Sequence, residues 1–268
     1  MIKKYLLAIL AISLLVMSAC DAKLDMNIEE FKEQVIKANS EVQTYNFEMT
    51  SDVVMNLEFL GQKVESTMDM TYSGAVDRIN NKVKLISTSK VDMLGTVETI
   101  EMEMYLEDNY TYIYMMNNWM KVPTEYDYFG EQDQINLTTD LMDSGTIIYE
   151  GEDNIEGKNY YVVTLKPDLN KLVEIALSTL GMDELMGDVG NFEDIIKEYE
   201  TKLWINKENF IIERTQEYLV MSMDGIEGGE GSMDFIVNSQ TIMKNINEPV
   251  NIQVPQEALN AQSTPMFI

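Results

Sequence analysis

From Tyr45 to Phe59 the chain alternates with a period of two. Tyr45, Phe47, Met49, Ser51, Val53, Met55, Leu57 and Phe59 hold the odd positions, while Asn46, Glu48, Thr50 and Asp52 open the even ones. That period puts every odd side chain on one face of a β-strand. The run is far longer than the usual five or six residues. A half-apolar strand of this length needs paired neighbours on both sides and something to cover its greasy face.

The same pattern recurs. Val64, Ser66, Met68, Met70 and Tyr72 alternate after a turn at Gly61-Gln62; Val83 to Met93 follow Asn80-Asn81; Ile100, Met102, Met104 and Leu106 follow Gly95. Tyr110–Met116 and Trp119–Val122 complete the series. Turn residues separate each run from the next, so the pattern predicts an antiparallel meander. Ahead of it, Asn27 with Glu30 forms an N-capping pattern before the stripe Ile28, Phe31, Val35 and Ala38, which predicts a helix of about three turns. Downstream, a short helix is predicted over Gln132–Met142. Strands are predicted at Thr146–Glu150 and Asn159–Lys166, with Gly151–Gly157 as an acidic hairpin loop. Asp168–Leu180 reads as a Leu-rich helix and Phe192–Tyr199 as a further helical turn. Leu203–Asn206, Phe210–Met223 and Gly231–Asn247 are the last expected strands, and the tail after Pro249 is expected to be irregular. The fold class is therefore α+β, mainly antiparallel β: a curved sheet of long strands with helices on its concave face.

Composition removes most chemistry. The 268 residues contain no histidine and a single cysteine, Cys20. His-based triads, Cys-His pairs and His-ligated zinc are thereby excluded, and no metal or cofactor is expected. Ser87-Thr88-Ser89-Lys90 spells S-x-x-K, but it lies in a strand-like run and lacks the S-D-N and K-T-G companions. Catalysis is not expected. With 46 acidic against 19 basic residues and a net charge of −27, the surface repels nucleic acid and anionic headgroups.

The first twenty residues carry a second message. Lys3 and Lys4 precede an apolar run from Tyr5 to Val16, followed by Met17-Ser18-Ala19-Cys20. A charged start, a short apolar stretch and small residues before the cut mark a secretory signal. The stretch resembles a bacterial lipobox, with Met17 where Leu is usual. On that resemblance Cys20 is the lipidation site, bearing a diacylglycerol with acyl chains such as palmitate. Residues 1–20 are then the signal, 21–26 a tether, 27–256 one domain and 257–268 a tail. The membrane is a partner through Cys20, on the extracytoplasmic face.

Methionine numbers 21, and Met49, Met55, Met68, Met70, Met93, Met102 and Met104 all fall on the apolar phase. Met is unbranched and polarizable, and suits adaptable apolar surfaces. The competing reading is that it replaces Leu in an ordinary core. Too few helices are predicted to roof so long a sheet, so an apolar hollow is expected. Its candidate lining is Phe47, Met49, Met55, Leu57, Met68, Met70, Met102 and Met104, with Leu172 and Leu177 contributed by the predicted covering helix. Trp119 and Trp204 are read as packing residues of hairpin faces, with the rim of the hollow as their competing role.

Several strings carry a family resemblance: Ser40-Glu41-Val42-Gln43-Thr44-Tyr45-Asn46-Phe47, Glu101-Met102-Glu103-Met104-Tyr105-Leu106, Leu203-Trp204-Ile205-Asn206-Lys207-Glu208-Asn209-Phe210 and Asn247-Glu248-Pro249-Val250-Asn251. With the order of elements, they resemble the LolA-like lipoprotein- and lipid-carrier superfamily, in its membrane-anchored branch. The resemblance implies a half-barrel that holds an apolar ligand, either a lipid acyl chain or a lipidated partner, without catalysis. The alternative is a surface interaction or sensing module with a fully packed interior.

Overall fold

A computed structural model of the chain describes residues 24–59, 61–93, 95–107, 109–124, 134–172, 195–225 and 231–263. Helix α1 spans Ile28–Ser40 and is followed by six strands: β1 (Thr44–Phe59), β2 (Gln62–Asp77), β3 (Lys82–Met93), β4 (Thr96–Glu107), β5 (Tyr110–Met115) and β6 (Asn118–Pro123). Helix α2 (Gln134–Ser144) leads into β7 (Thr146–Ile155), β8 (Lys158–Lys166), β9 (Ile196–Asn206), β10 (Ile212–Gly225) and β11 (Gly231–Lys244), and α3 is Gln256–Leu259.

All eleven strands belong to one sheet in the order β6-β5-β4-β3-β2-β1-β11-β10-β9-β8-β7. It is a curved antiparallel sheet that stays open, with β6 and β7 at its edges. Two meanders are joined by β1 and β11, which pair along fourteen residue positions from Asn46↔Lys244 to Phe59↔Gly231. At about 3.3 Å per residue the sixteen-residue β1 and β2 are about 50 Å long.

The core lies toward one end of these long strands. Phe31 and Val35 of α1 and Leu141 and Met142 of α2 pack on Tyr161, Val163, Leu165, Leu203, Ile205 and Ile212 of β8–β10. Beside them, Val42, Tyr45, Val76, Val83, Leu106 and Met243 close around Ile135 of α2. The N-cap of α1 is as expected: Glu30 donates its backbone N–H to Asn27 Oδ1 at 2.8 Å. Among the described residues no helix is long and apolar enough to cross a membrane.

Two expectations need correction. Gly151–Gly157 is not a loop, because β7 runs through Gly151 to Ile155 and only Glu156-Gly157 turns. A register shift between Tyr149 and Gly151 absorbs the glycine. Residues 196–199 are strand rather than helix, so β9 is much longer than Leu203–Asn206. The tail is irregular from Pro249 to Pro255, yet it packs. Ile252 and Ala258 are buried against Ala75, Tyr105 and Tyr112 on the sheet's convex face. The short helix α3 thus lies on the side of the sheet opposite α1 and α2. The helix predicted over Asp168–Leu180 is seen through Leu172, and its remainder lies outside the described residues.

Candidate functional site: the concave face of the long strands

The face that α1 and α2 touch is the odd phase of β1. Register carries this face across the sheet: Met49 stands opposite Tyr72 and Thr241, Val53 opposite Met68 and Val237, and Met55 opposite Ser66 and Phe235. On β3 and β4 the row of Met49 and Tyr72 continues as Ser87–Met102, and the row of Phe47 and Gly74 beside it as Leu85–Met104. On β10 and β11 the rows of Val53 and Met55 continue as Leu219–Val237 and Met221–Phe235.

All eight candidates on β1, β2 and β4 occupy this face, and all are half-buried: Phe47, Met49, Met55, Leu57, Met68, Met70, Met102 and Met104. Among the described residues, the buried apolar clusters stop at Phe47 on β1. Beyond it on β1 and β2 the apolar inward side chains are only half-buried, while the inward positions that are fully buried, Ser51 and Ser66, are polar. Leu172 is elsewhere, packed on the α1–α2–β8 core. Leu177 and Cys20 lie outside the described residues. Tyr72, also half-buried, donates its hydroxyl to the Met70 sulfur at 3.0 Å, and burial pushes its phenol up from the ordinary range.

The two tryptophans are packing residues on the other face. Trp119 lies against Tyr105 and Tyr114, and Trp204 donates from its indole to Asp153 at 3.1 Å. In the S-x-x-K match, Ser87 is buried on the inward phase of β3 and Lys90 is exposed on the outward phase. The two key letters of that motif therefore face away from each other.

Sequence reasoning missed a polar band set into the apolar rows. Across β9, β10, β11 and β1, Thr201, Glu217, Ser239 and Ser51 stand in one cross-strand row. Thr215 and Thr241 form part of the row beside it. Ser51, Thr201, Thr215 and Thr241 are each only 2% exposed. Ser239 donates to Glu217 Oε2 at 3.1 Å. Burial holds the Glu217 carboxyl above the usual carboxylate range, with that hydrogen bond pulling the other way. Tyr199, on the same face, is pushed up by burial and then by the Glu217 charge. The signal was present in the sequence: Glu217 falls on the apolar phase Leu219, Met221, Met223 of β10.

Glu213, a buried carboxylate on the same strand, is structural. Lys158 and Tyr160 each reach its Oε2 at 2.8 Å and Asn206 reaches Oε1 at 2.7 Å. No cluster of three metal-ligating side chains occurs among the described residues.

Comparison with known proteins gives the chain a family but no assigned activity. No curated protein sequence matches it. Among solved structures it is similar to LprF from Mycobacterium bovis, at 15% identity over 85% of this chain and 97% of that one, with a TM-score of 0.43. It is also similar to the Mycobacterium tuberculosis lipoprotein LppX, at 13% identity over 85% and 100%, TM-score 0.40. A LolA superfamily protein from Nitrosomonas europaea matches at 11% identity over 85% and 96%, TM-score 0.24. The family model described as "Family of unknown function (DUF6612)" matches residues 27–263, and the chain belongs to that family.

Proposed function

We propose that this protein is an extracytoplasmic lipoprotein, anchored through Cys20, that binds an apolar ligand against the concave face of its sheet without transforming it. The ligand class is a lipid acyl chain or the acyl chain of a lipidated partner. One observation carries the reading: past Phe47 the apolar side chains on the inward phase of β1 and β2 are only half-buried. A half-covered, Met-rich strip on long strands offers a hydrocarbon chain a deformable contact surface. Burying apolar area stabilises at roughly 25 cal/mol per Å². A sixteen-carbon tail therefore gains on the order of 10 kcal/mol before the cost of ordering it is subtracted.

The test uses the full chain carrying Cys20→Ser, purified without detergent and extracted with organic solvent for mass spectrometry. A lipid recovered near one per protein, together with saturable binding of Nile red that Met70→Asp weakens, supports the reading. Absence of both overturns it and favours a packed interaction module. The anchor is tested separately, by fractionation of cells. Cys20→Ser is expected to release the protein from membranes, and continued membrane association would overturn lipidation.

A further inference from the structure

The concave face carries a carboxyl group, Glu217, with no cation beside it among the described residues. Glu217 is flanked across the strands by Thr201 and Ser239 and along its own strand by Thr215 and Leu219. A carboxylate set among apolar rows is costly unless donors or a counter-charge satisfy it. Ser239 supplies one donor. Beside it the Thr215 hydroxyl is buried without a hydrogen-bond partner. The Thr201 hydroxyl faces the Tyr199 phenol, but it too reaches no partner at hydrogen-bond geometry. Buried hydroxyls left unpaired are rare, and each one needs an explanation.

We infer that this band seats the polar head of the bound amphipath, and that the head carries hydroxyl groups rather than negative charge. The inference rests on the proposed apolar-ligand role and adds the identity of the head. A hydroxyl both donates and accepts, so it can serve the Glu217 carboxyl in either protonation state and also the two threonine hydroxyls. A carboxylate or phosphate head offers only acceptors and brings a second negative charge beside Glu217. A site built around buried polar groups discriminates strongly against a ligand that leaves them unpaired. Burial pushes the Glu217 carboxyl up, which agrees with the lack of any neighbouring cation among these residues.

The experiment compares 1-monooleoylglycerol with oleate, which share one chain and differ in the head. Binding is measured by calorimetry at pH 7 on the full chain carrying Cys20→Ser. The expected result is at least about tenfold tighter binding of the glyceride. Glu217→Gln removes the charge and is expected to bring oleate to within about threefold of the glyceride, with the fold retained by circular dichroism. Thr215→Val, nearly the same shape, is expected to weaken the glyceride about threefold while raising the melting temperature of the free protein. Equal binding of both ligands by the parent chain overturns the head-group inference and leaves chain binding standing. An unchanged preference in both variants overturns it as well. Binding of neither ligand overturns the apolar-ligand role together with this inference.

Discussion

Asn39 and Ile212 lie 173 residues apart and are joined by a hydrogen bond, the Ile212 backbone N–H donating to Asn39 Oδ1 at 3.1 Å. The same carboxamide donates to the Phe210 carbonyl at 3.1 Å and to the Val35 carbonyl at 2.7 Å. Asn39 is fully buried. The last turn of α1 is thereby fixed to the connection between β9 and β10, and the helix is held over the core end of the concave face. Asn39→Leu keeps the branching at Cγ but strands two buried backbone groups. It is expected to cost about 2–4 kcal/mol, read from urea denaturation.

Glu217 gives stability a distinct pH dependence. Its folded-state pKa lies above the model value of 4.5, so between the two values the folded chain binds more protons than the unfolded one. Stability therefore falls as pH rises through that window, and the cost is complete once the pH has passed the folded value. Glu217→Gln is expected to melt higher than the parent at pH 7. The difference should vanish below about pH 4, where the parent carboxyl is neutral in both states. A variant that melts lower at pH 7 would contradict this assignment.

Glu213 behaves in the opposite sense. Burial works against its charge, but hydrogen bonds from Lys158, Asn206 and Tyr160 outweigh it and lower its pKa below 4.5. Its contribution is present above the unfolded value and is lost as pH falls through the folded one. Glu213→Gln is expected to flatten the acid limb of the stability curve and to cost about 1–2 kcal/mol at pH 7. Lys158→Met should cost less, because the Lys158 side chain is 59% exposed.

Gly74 exists for the ring of Phe47. The two stand opposite each other on β2 and β1. A Cβ on Gly74 would meet the Phe47 ring at 2.5 Å and the Lys84 carbonyl oxygen closer still. Gly74→Ala is expected to destabilise by about 1–3 kcal/mol. Combining it with Phe47→Leu should recover part of the loss, and strict additivity in that double-mutant cycle would show that the contact does not matter.

The strands that sequence located well, β1 to β4, are those whose inner and outer faces differ most in polarity. Their limits came close because turns at Gly61, Asn80-Asn81 and Gly95 punctuate them, and Gly61 and Gly95 adopt the positive φ that such turns require. The acid-rich run from Gly151 looked like solvent-exposed loop because β7 is an edge strand, and its outer residues are exposed even while paired. Residues 196–199 carry polar and charged side chains that mask a strand paired on both sides farther along. The shared inward phase of the methionines could be read from periodicity alone. Glu217 also falls on the apolar phase of its strand, but in a chain with 46 acids it stands out only once β10 is registered against β9 and β11.

The pairing of β1 with β11 also governs how the molecule is assembled. The first strand to emerge during synthesis completes its ladder against the last, so the middle of the sheet cannot zip shut until nearly the whole polypeptide is available. Ordering contacts of such large sequence separation slows folding. In the interval the growing chain carries a long, sticky margin on β1 that invites pairing with a neighbouring molecule.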